Sequence, residues 1–152
     1  PWRLFSKAGR ILDIGTGAGF PGIPLALVFP DIQFLLCESI QKKARFVEAA
    51  ITRLGLENVE VKPVRAEDQL KAQRVDILTA RAVSPLLKAV NLFGSALKNG
   101  AEALFYKGPD VQAEINEALP EARKRRIAIG LAESYDLPDG MGKRTIVKLS
   151  SY

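Results

Sequence analysis

Three glycines at every second position follow a short apolar run near the start of the sequence. The run Ile11–Ile14 is typical of a buried strand, and directly after it come Gly15, Gly17 and Gly19. Glycine adopts positive φ without strain and lets a ligand approach the backbone, because it has no Cβ. A helix is predicted next, since the segment that follows is apolar and begins with Pro24, which a first helical turn tolerates. Strand, glycine turn and helix form the first half of a nucleotide-type βαβ unit.

Two acids narrow the class of ligand that this turn would bind. Asp13 lies two residues before the first glycine, where a carboxylate can accept a hydrogen bond from a cationic amine or from its water. Glu38 ends the next apolar run, and an acid at the tip of a second strand can accept hydrogen bonds from both hydroxyls of a ribose. An amine near Asp13 and a ribose near Glu38 fit S-adenosylmethionine well.

Two other interpretations of the glycine turn stay open at this point. The segment from Gly17 to Gly22 also satisfies the G-x-G-x-x-G pattern of dinucleotide-binding proteins, a pattern that is weak by itself. Two features disfavour NAD as the ligand. Asp13 would place a negative charge near the pyrophosphate, and Pro21 removes a backbone donor that a phosphate could use. The third interpretation is a tight strand–helix turn that binds no ligand.

The composition excludes several kinds of catalysis. The 152-residue sequence has no histidine, which excludes Ser-His-Asp hydrolysis, a histidine general base and histidine-containing zinc sites. Its only cysteine is Cys37, so we expect no internal disulfide and no metal site, and its place in a strand is typical of a small buried residue. The net charge of +5 suits a polyanionic partner without requiring one. No apolar stretch approaches membrane length, so we expect no membrane partner and a cytoplasmic protein by default.

Strands and helices alternate along the chain, which predicts an α/β fold with a mainly parallel sheet and helices on both faces. The predicted parallel strands are Arg10–Gly15, Gln33–Glu38, Val59–Val61, Val75–Thr79 and Ala103–Tyr106. Helices are predicted over Pro85–Leu97 and from Val111 to Leu119 or somewhat beyond, with a loop or short helix at Ala66–Asp68. The last two strands, Ile127–Tyr135 and Thr145–Leu149, are joined by a turn signal and should pair as an antiparallel hairpin. Five alternating units closed by a hairpin are the layout of class I methyltransferases.

The segment after the second strand is predicted to be a helix with one apolar face. Ser39 would cap it, and it would run to about Leu54, where Gly55 stops it. Its apolar stripe would consist of Phe46, Ala49, Ala50 and Leu54.

Five segments together carry a resemblance to one family. They are DIGTGAGFPGIPLAL with its downstream acid, RAED at Arg65–Asp68, ARAVSP at Ala80–Pro85, FYKG at Phe105–Gly108 and KRTIVKL at Lys143–Leu149. From about Arg10 to Leu149 the chain resembles the guanine-N7 methyltransferases of bacterial small-subunit (16S) ribosomal RNA, the RsmG or GidB family. The resemblance implies a Rossmann-like class I fold with a seven-stranded sheet whose last strand is antiparallel. It also implies S-adenosylmethionine as cofactor and small-subunit ribosomal RNA, or the assembled small subunit, as partner.

The residues and the resemblance together assign roles along the chain. Cofactor binding is assigned to Asp13, Gly15, Gly17, Phe20, Glu38, Ala66, Glu67 and Arg81. In this set, Ala66 and Glu67 would border the adenine, and Glu67 would accept a hydrogen bond from its exocyclic amine. Arg81 and Lys107 follow the fourth and fifth strands at the edge where α/β proteins bind ligands, and they are the candidate catalytic residues. RNA binding is assigned to Lys107, Arg144, Arg123, Arg125 and Arg126, although the Arg123–Arg126 run can equally be a solvated helix end.

The proposed chemistry agrees with the residues that the sequence lacks. Guanine N7 carries a lone pair and no hydrogen, so its methylation needs no general base. Transfer to cytosine C5 would need a cysteine after the fourth strand, and transfer to an amino group usually shows an Asn/Asp-Pro-Pro-Tyr motif there; Thr79–Ala82 has neither. Two alternatives remain, an NAD(P)-dependent Rossmann oxidoreductase and a non-catalytic RNA-binding module on the same fold. We expect one domain over residues 1–152 and a monomer, with the helical segment that family members carry before the first strand short or missing.

Overall fold

A computed structural model describes residues 1–82 and 84–152, so Val83 of the ARAVSP motif lies outside the described residues. The strands are β1 Arg10–Ile14, β2 Gln33–Cys37, β3 Val59–Lys62, β4 Ile77–Arg81, β5 Glu102–Lys107, β6 Ile127–Asp136 and β7 Lys143–Ser151. The helices are α1 Gly22–Val28, α2 Gln41–Leu54, α3 Ala66–Ala72, α4 Leu86–Lys98 and α5 Gln112–Lys124, with short 3-10 helices at Trp2–Leu4 and Pro138–Gly140.

The seven strands form one sheet in the order β3-β2-β1-β4-β5-β7-β6. β1 to β5 pair in parallel, whereas β7 runs antiparallel to both β5 and β6. The predicted mostly parallel sheet with an antiparallel last strand is therefore confirmed. The fourth strand was predicted two residues too early, because pairing with β1 begins only at Ile77. The preceding residue, Asp76, instead accepts hydrogen bonds from the backbone N–H groups of Gly9 and Arg10 through its side chain.

Helices cover both faces of the sheet, as the alternation predicted, and each face has its own core. α3, α4 and α5 pack on one face, around residues such as Leu78, Phe93 and Phe105. α1, α2 and the segment near Trp2–Leu4 pack on the other, around residues such as Phe5 and Phe34. Neighbouring residues of one strand contribute to opposite cores because side chains alternate across a sheet.

The prediction for α2 was wrong in its cap and in its buried face. The helix begins at Gln41 after Ile40, and among the described residues no side chain caps that end. Its buried residues are Ala44 and Val47, whereas Phe46 is 60% exposed. Of the predicted stripe only Ala50 packs against the core, beside Val47 and Ile51.

The strand order places a crevice beside β1 and β4. These two strands are neighbours in the sheet, although β2 and β3 come between them in sequence. The chain therefore winds outward in one direction from β1 and in the other direction from β4. In open α/β sheets the ligand-binding crevice lies at such a switch point, outside the carboxyl ends of the strands. Arg81 is the last residue of β4 and Lys107 is the last residue of β5, so both lie at this edge.

Candidate active site

The glycine loop leaves β1 and enters α1 along a path that only glycine can follow comfortably. Gly15 and Gly17 have φ values of 60° and 63°, in the left-handed region that disfavours residues with a Cβ. Gly22, the first residue of α1, is required for packing instead. A Cβ on Gly22 would collide with the Leu36 side chain and would lie 2.8 Å from Oδ2 of Asp13. The loop therefore brings α1 directly against β1 and β2.

Asp13 holds the glycine loop from beneath. Its side chain is fully buried, and its Oδ2 accepts hydrogen bonds from Thr16 Oγ1 at 2.6 Å and from Gly22 N–H at 2.9 Å. Burial raises the pKa of Asp13 to about 7, against the lowering effects of these two hydrogen bonds and of the charge on Arg81. Within the described residues Oδ1 has no hydrogen-bond partner. The predicted contact of Asp13 with an amine or its water stays a prediction.

Glu38 connects two loops at the crevice. Its Oε2 accepts a hydrogen bond from Gly17 N–H at 3.1 Å, and its Oε1 accepts one from Ile40 N–H at 2.9 Å. The carboxylate thus joins the glycine loop to the start of α2. Each carboxylate oxygen can accept a second hydrogen bond, so the predicted contact with ribose hydroxyls is compatible with both contacts and stays a prediction.

A first cavity of about 390 Å³ opens at the carboxyl ends of β1 to β4. It brings together four of the residues assigned to cofactor binding, namely Gly15, Ala66, Glu67 and Arg81. α4 adds Lys88 and Leu92, which the sequence analysis missed. Their spacing of four residues on a predicted helix was the signal that could have placed them on one face.

Cys37 also lines the first cavity, and it is buried as predicted, with 1% of its surface exposed. Burial raises the pKa of its thiol to about 12, and the nearby Asp13 adds to the effect. The thiol is therefore protonated at neutral pH, which disfavours a role as nucleophile.

A second cavity of about 550 Å³ lies on the other side of Arg81. Its lining includes four aromatic rings, those of Trp2, Phe20, Tyr106 and Tyr135. Three cationic side chains, those of Arg81, Lys107 and Arg144, also line it. Phe20 lies on this cavity, so its predicted contact with the cofactor stays a prediction.

Arg81 forms part of the wall of both cavities. Its guanidinium carbon lies 5.5 Å from the centroid of the Phe20 ring, a cation–π distance. Phe20 therefore supports the guanidinium from the side of the glycine loop. If Arg81 lies between cofactor and substrate, as predicted, its side chain must border both of their sites, and a place on the wall of both cavities meets this requirement.

The family is identified by comparison with known proteins. The family model GidB, described as rRNA small subunit methyltransferase G, matches residues 1–131. The chain belongs to this family. The ribosomal RNA small subunit methyltransferase G of Solibacter usitatus is 61% identical over 98% of this chain and 71% of its own length. That of Thermotoga petrophila is 37% identical over 95% of this chain and 64% of its own length.

Among solved structures, the SAM-dependent O-methyltransferase of Thermotoga maritima shares the fold. The superposition has a TM-score of 0.68 with 21% sequence identity, and covers 99% of this chain and 62% of that chain. The chain thus has the class I methyltransferase fold of the GidB family, as the motifs predicted, and the NAD(P)-dependent oxidoreductase is set aside. A single domain over residues 1–152 and a monomer stay predictions.

Lys107 connects β5 to two helices of this methyltransferase fold. Its ammonium group lies 2.7 Å from Oε1 of Glu114 on α5 and 3.3 Å from the carbonyl oxygen of Ser84. The same Glu114 oxygen accepts a hydrogen bond from Leu86 N–H at the start of α4. The ion pair is largely buried, with the Lys107 side chain 10% exposed. This geometry fixes the start of α4 beside Arg81, and the predicted catalytic and RNA-binding roles of Lys107 stay predictions.

The basic run at Arg123–Arg126 lies away from both cavities. It spans the end of α5 and the residues before β6, and β6 runs parallel to β5. The run is therefore at the amino edge of the sheet, opposite Arg81 and Arg144. Arg125 is 2.7 Å from Glu121 and donates a hydrogen bond to Asn91. RNA binding by Arg123, Arg125 and Arg126 stays a prediction, and it concerns a separate surface.

The described part of the chain contains no group of three or more His, Cys, Asp or Glu side chains arranged to hold a metal ion. Within the same part, every helix is too short or too polar to cross a membrane.

Proposed function

We propose that this chain transfers a methyl group from S-adenosylmethionine to N7 of a guanine in a loop of small-subunit ribosomal RNA. The observation that carries the proposal is the place of Arg81, on the shared wall of two cavities at the switch point of the sheet. Membership of the GidB family supports the reaction class and the RNA substrate. Because the proposed substrate is ribosomal RNA or the assembled small subunit, the protein acts in the cytoplasm.

The first cavity fits the methyl donor in size and chemistry. Its volume of about 390 Å³ lies in the range of small-molecule sites. Gly15 offers backbone without a side chain in the way, Ala66 offers an apolar surface for adenine, and Glu67 offers an acceptor for its amine. Glu38, directly after β2, offers a carboxylate for the ribose. S-adenosylmethionine, when bound, supplies an electrophilic methyl group.

The protein contributes mainly by orienting the two reactants. The lone pair of guanine N7 forms the new bond to the methyl carbon, and the bond from that carbon to sulfur breaks with its electron pair remaining on sulfur. No proton moves, so the absence of histidine from the sequence is no obstacle. Correct placement of two reactants can contribute about 7–11 kcal/mol to lowering a barrier. Arg81, held by Phe20 and lying next to a helix that Lys107 and Glu114 fix in place, is the residue best placed to align them.

The cofactor assignment is tested by calorimetric titration with S-adenosylmethionine, S-adenosylhomocysteine and NAD. We expect the first two to bind and NAD not to bind. Glu38→Ala should weaken both interactions by roughly 1.5–3 kcal/mol, because the ribose hydroxyls lose a charged acceptor and the loop loses its link to α2. Glu57→Ala, which removes an exposed acid, is the control. Binding of NAD alone would refute the assignment.

The acceptor atom is tested on small-subunit ribosomal RNA methylated by the protein. N7-methylguanine carries a fixed positive charge, so its RNA should be cleaved by borohydride followed by aniline at one site. Arg81→Lys should lower methyl transfer strongly while the melting temperature barely moves, because lysine lacks the planar fork of donors and Arg81 is exposed. Nucleoside mass spectrometry that finds the methyl group on an exocyclic amine, a ribose oxygen or C5 would contradict the N7 assignment.

A further inference from the structure

We propose that the second cavity is the pocket for the acceptor base, a purine turned out of its RNA stack. Tyr106 and Tyr135 would contact the base, and Arg144 would hold a neighbouring phosphate. This inference rests on the proposed function, because it supplies the acceptor for the methyl group of the first cavity.

The position of the second cavity meets the first demand of a transfer reaction. Arg81 and Ala82 line both cavities, so the two cavities adjoin at these residues. Reacting atoms must approach to about 3–3.5 Å before transfer. A base in the second cavity would lie beside Arg81 on the same side of the sheet as the first cavity, since both cavities lie at the carboxyl edge.

The aromatic lining suits a flat base. The Tyr106 ring is stacked on Phe5, with centroids 6.5 Å apart and planes 9° apart, and Phe5 is completely buried. The orientation of the Tyr106 ring is therefore fixed from behind. On the opposite side, Phe20 is 47% exposed and Trp2 is 49% exposed, although both are large apolar rings. Enzymes that act on an extruded base receive it between aromatic and apolar side chains.

The tyrosine hydroxyls of this cavity stay neutral at physiological pH. Burial is the main cause that raises the pKa of both Tyr106 and Tyr135. A neutral phenol can both donate and accept a hydrogen bond, as the polar edge of a base requires. The proximity of the two hydroxyls also contributes to the raised pKa of Tyr106, so the base would meet two polar groups beside apolar surface.

The charge of the cavity favours an anionic ligand. Within the described residues, no acid lines it, whereas Arg81 and Arg144 do. Lys107 is paired with Glu114, so the positive charge comes mainly from the two arginines. Arg144 is the cross-strand partner of Tyr135, and its side chain donates to the carbonyl oxygen of Lys143, which uses one of five guanidinium donors. A flat apolar floor beside two arginines fits a nucleotide, with its base on the tyrosines and its phosphate on the fork of Arg144.

The chain contains its own reporter for this pocket. Trp2 is the single tryptophan of the 152 residues, and it lines the second cavity but not the first. Guanosine 5′-monophosphate, titrated against the protein saturated with S-adenosylhomocysteine, should quench tryptophan fluorescence with saturation. Ribose 5-phosphate, which has the phosphate and no base, should quench far less.

Variants separate this pocket from the cofactor site. Tyr135→Leu and Arg144→Gln should each raise the Kd of the nucleotide, measured by quenching, about tenfold. For Tyr135 this lies within the range lost when a base loses one stacking contact, and for Arg144 it is close to the loss of one charged hydrogen bond. Both should raise KM for ribosomal RNA and leave the affinity for S-adenosylhomocysteine and the melting temperature near wild type. Tyr152→Leu, which removes a tyrosine that is 83% exposed, is the control.

The two proposals fail in different ways. Two results would overturn the base pocket and leave the methyltransferase function standing, provided that S-adenosylhomocysteine binds normally. One is the absence of saturable quenching. The other is quenching and KM in Tyr135→Leu and Arg144→Gln that equal the wild-type values. Saturable quenching by the nucleotide in a protein that binds no S-adenosylhomocysteine would overturn the proposed function, and the second cavity would then be a nucleotide site without a role as methyl acceptor.

Discussion

Asp13 makes the stability of this protein depend on pH in a direction opposite to that of most acids. Its folded-state pKa is about 7, against 3.8 for the ordinary group. Between these two values the folded state holds a proton that the unfolded state releases. The free energy of unfolding therefore falls as pH rises from about 4 to about 7, and the contribution is fully lost above the folded-state pKa. This difference in pKa corresponds to a change of about 4 kcal/mol in the free energy of unfolding.

Asp13→Asn should remove this pH dependence. The side-chain amide oxygen of asparagine can still accept the hydrogen bond from Gly22 N–H, and asparagine does not titrate. Urea unfolding followed by circular dichroism between about pH 4 and pH 8 gives the free energy of unfolding at each pH. We expect the free energy of unfolding of the wild type to fall through this pH range relative to that of Asp13→Asn.

The control for this experiment is Asp31→Asn, which removes an exposed carboxyl group. It should follow the wild-type curve throughout. Parallel curves for wild type and Asp13→Asn would show that the Asp13 carboxyl titrates normally, and that burial does not dominate its environment.

Three further predictions concern packing and the ion pair. Gly22→Ala should lower the free energy of unfolding by about 1–3 kcal/mol, because its Cβ meets packed side chains, whereas Gly130→Ala, with open space around it, should change it little. Asn58→Ala should lower it by about 1–3 kcal/mol, since the buried side-chain amide lies within hydrogen-bond distance of three backbone carbonyl oxygens. Lys107→Met and Glu114→Gln should each lower the melting temperature and methyl transfer, and a double-mutant cycle should give a coupling of about 0.5–3 kcal/mol. Glu114→Gln that strengthened RNA binding at unchanged stability would contradict this structural role of the ion pair.

The sequence predicted the edge of the sheet that carries the site, because strand–helix alternation fixes where each strand ends. Arg81 and Lys107 follow from that rule, and both lie where it placed them. The face of α2 could not be predicted in the same way. Ala44 is buried and Phe46 is exposed, although the helical spacing allows either residue to face the sheet.

Contacts between separate segments of the chain could not be predicted from the sequence, because they depend on the folded path of the loops. Glu114 lies seven residues after Lys107 in sequence, on the far side of a loop, and nothing in the sequence indicated that the two would form an ion pair. The hydrogen bond from Gly22 to Asp13 could not be predicted, because it depends on the exact path of the glycine loop. The second cavity depends on Trp2 and Tyr135, which come from opposite ends of the chain and meet only in the folded sheet.

The shared wall at Arg81 sets how the substrate range of such an enzyme could be redesigned. A substitution at Arg81 alters both cavities at once, so donor and acceptor preference cannot be tuned separately there. Tyr135 and Arg144 line the second cavity alone, and both belong to the β6–β7 hairpin. With the roles proposed for the two cavities, exchange of that hairpin between relatives should change the acceptor and leave the donor site intact. A library of variants confined to the hairpin would then explore new RNA targets without losing the methyl donor.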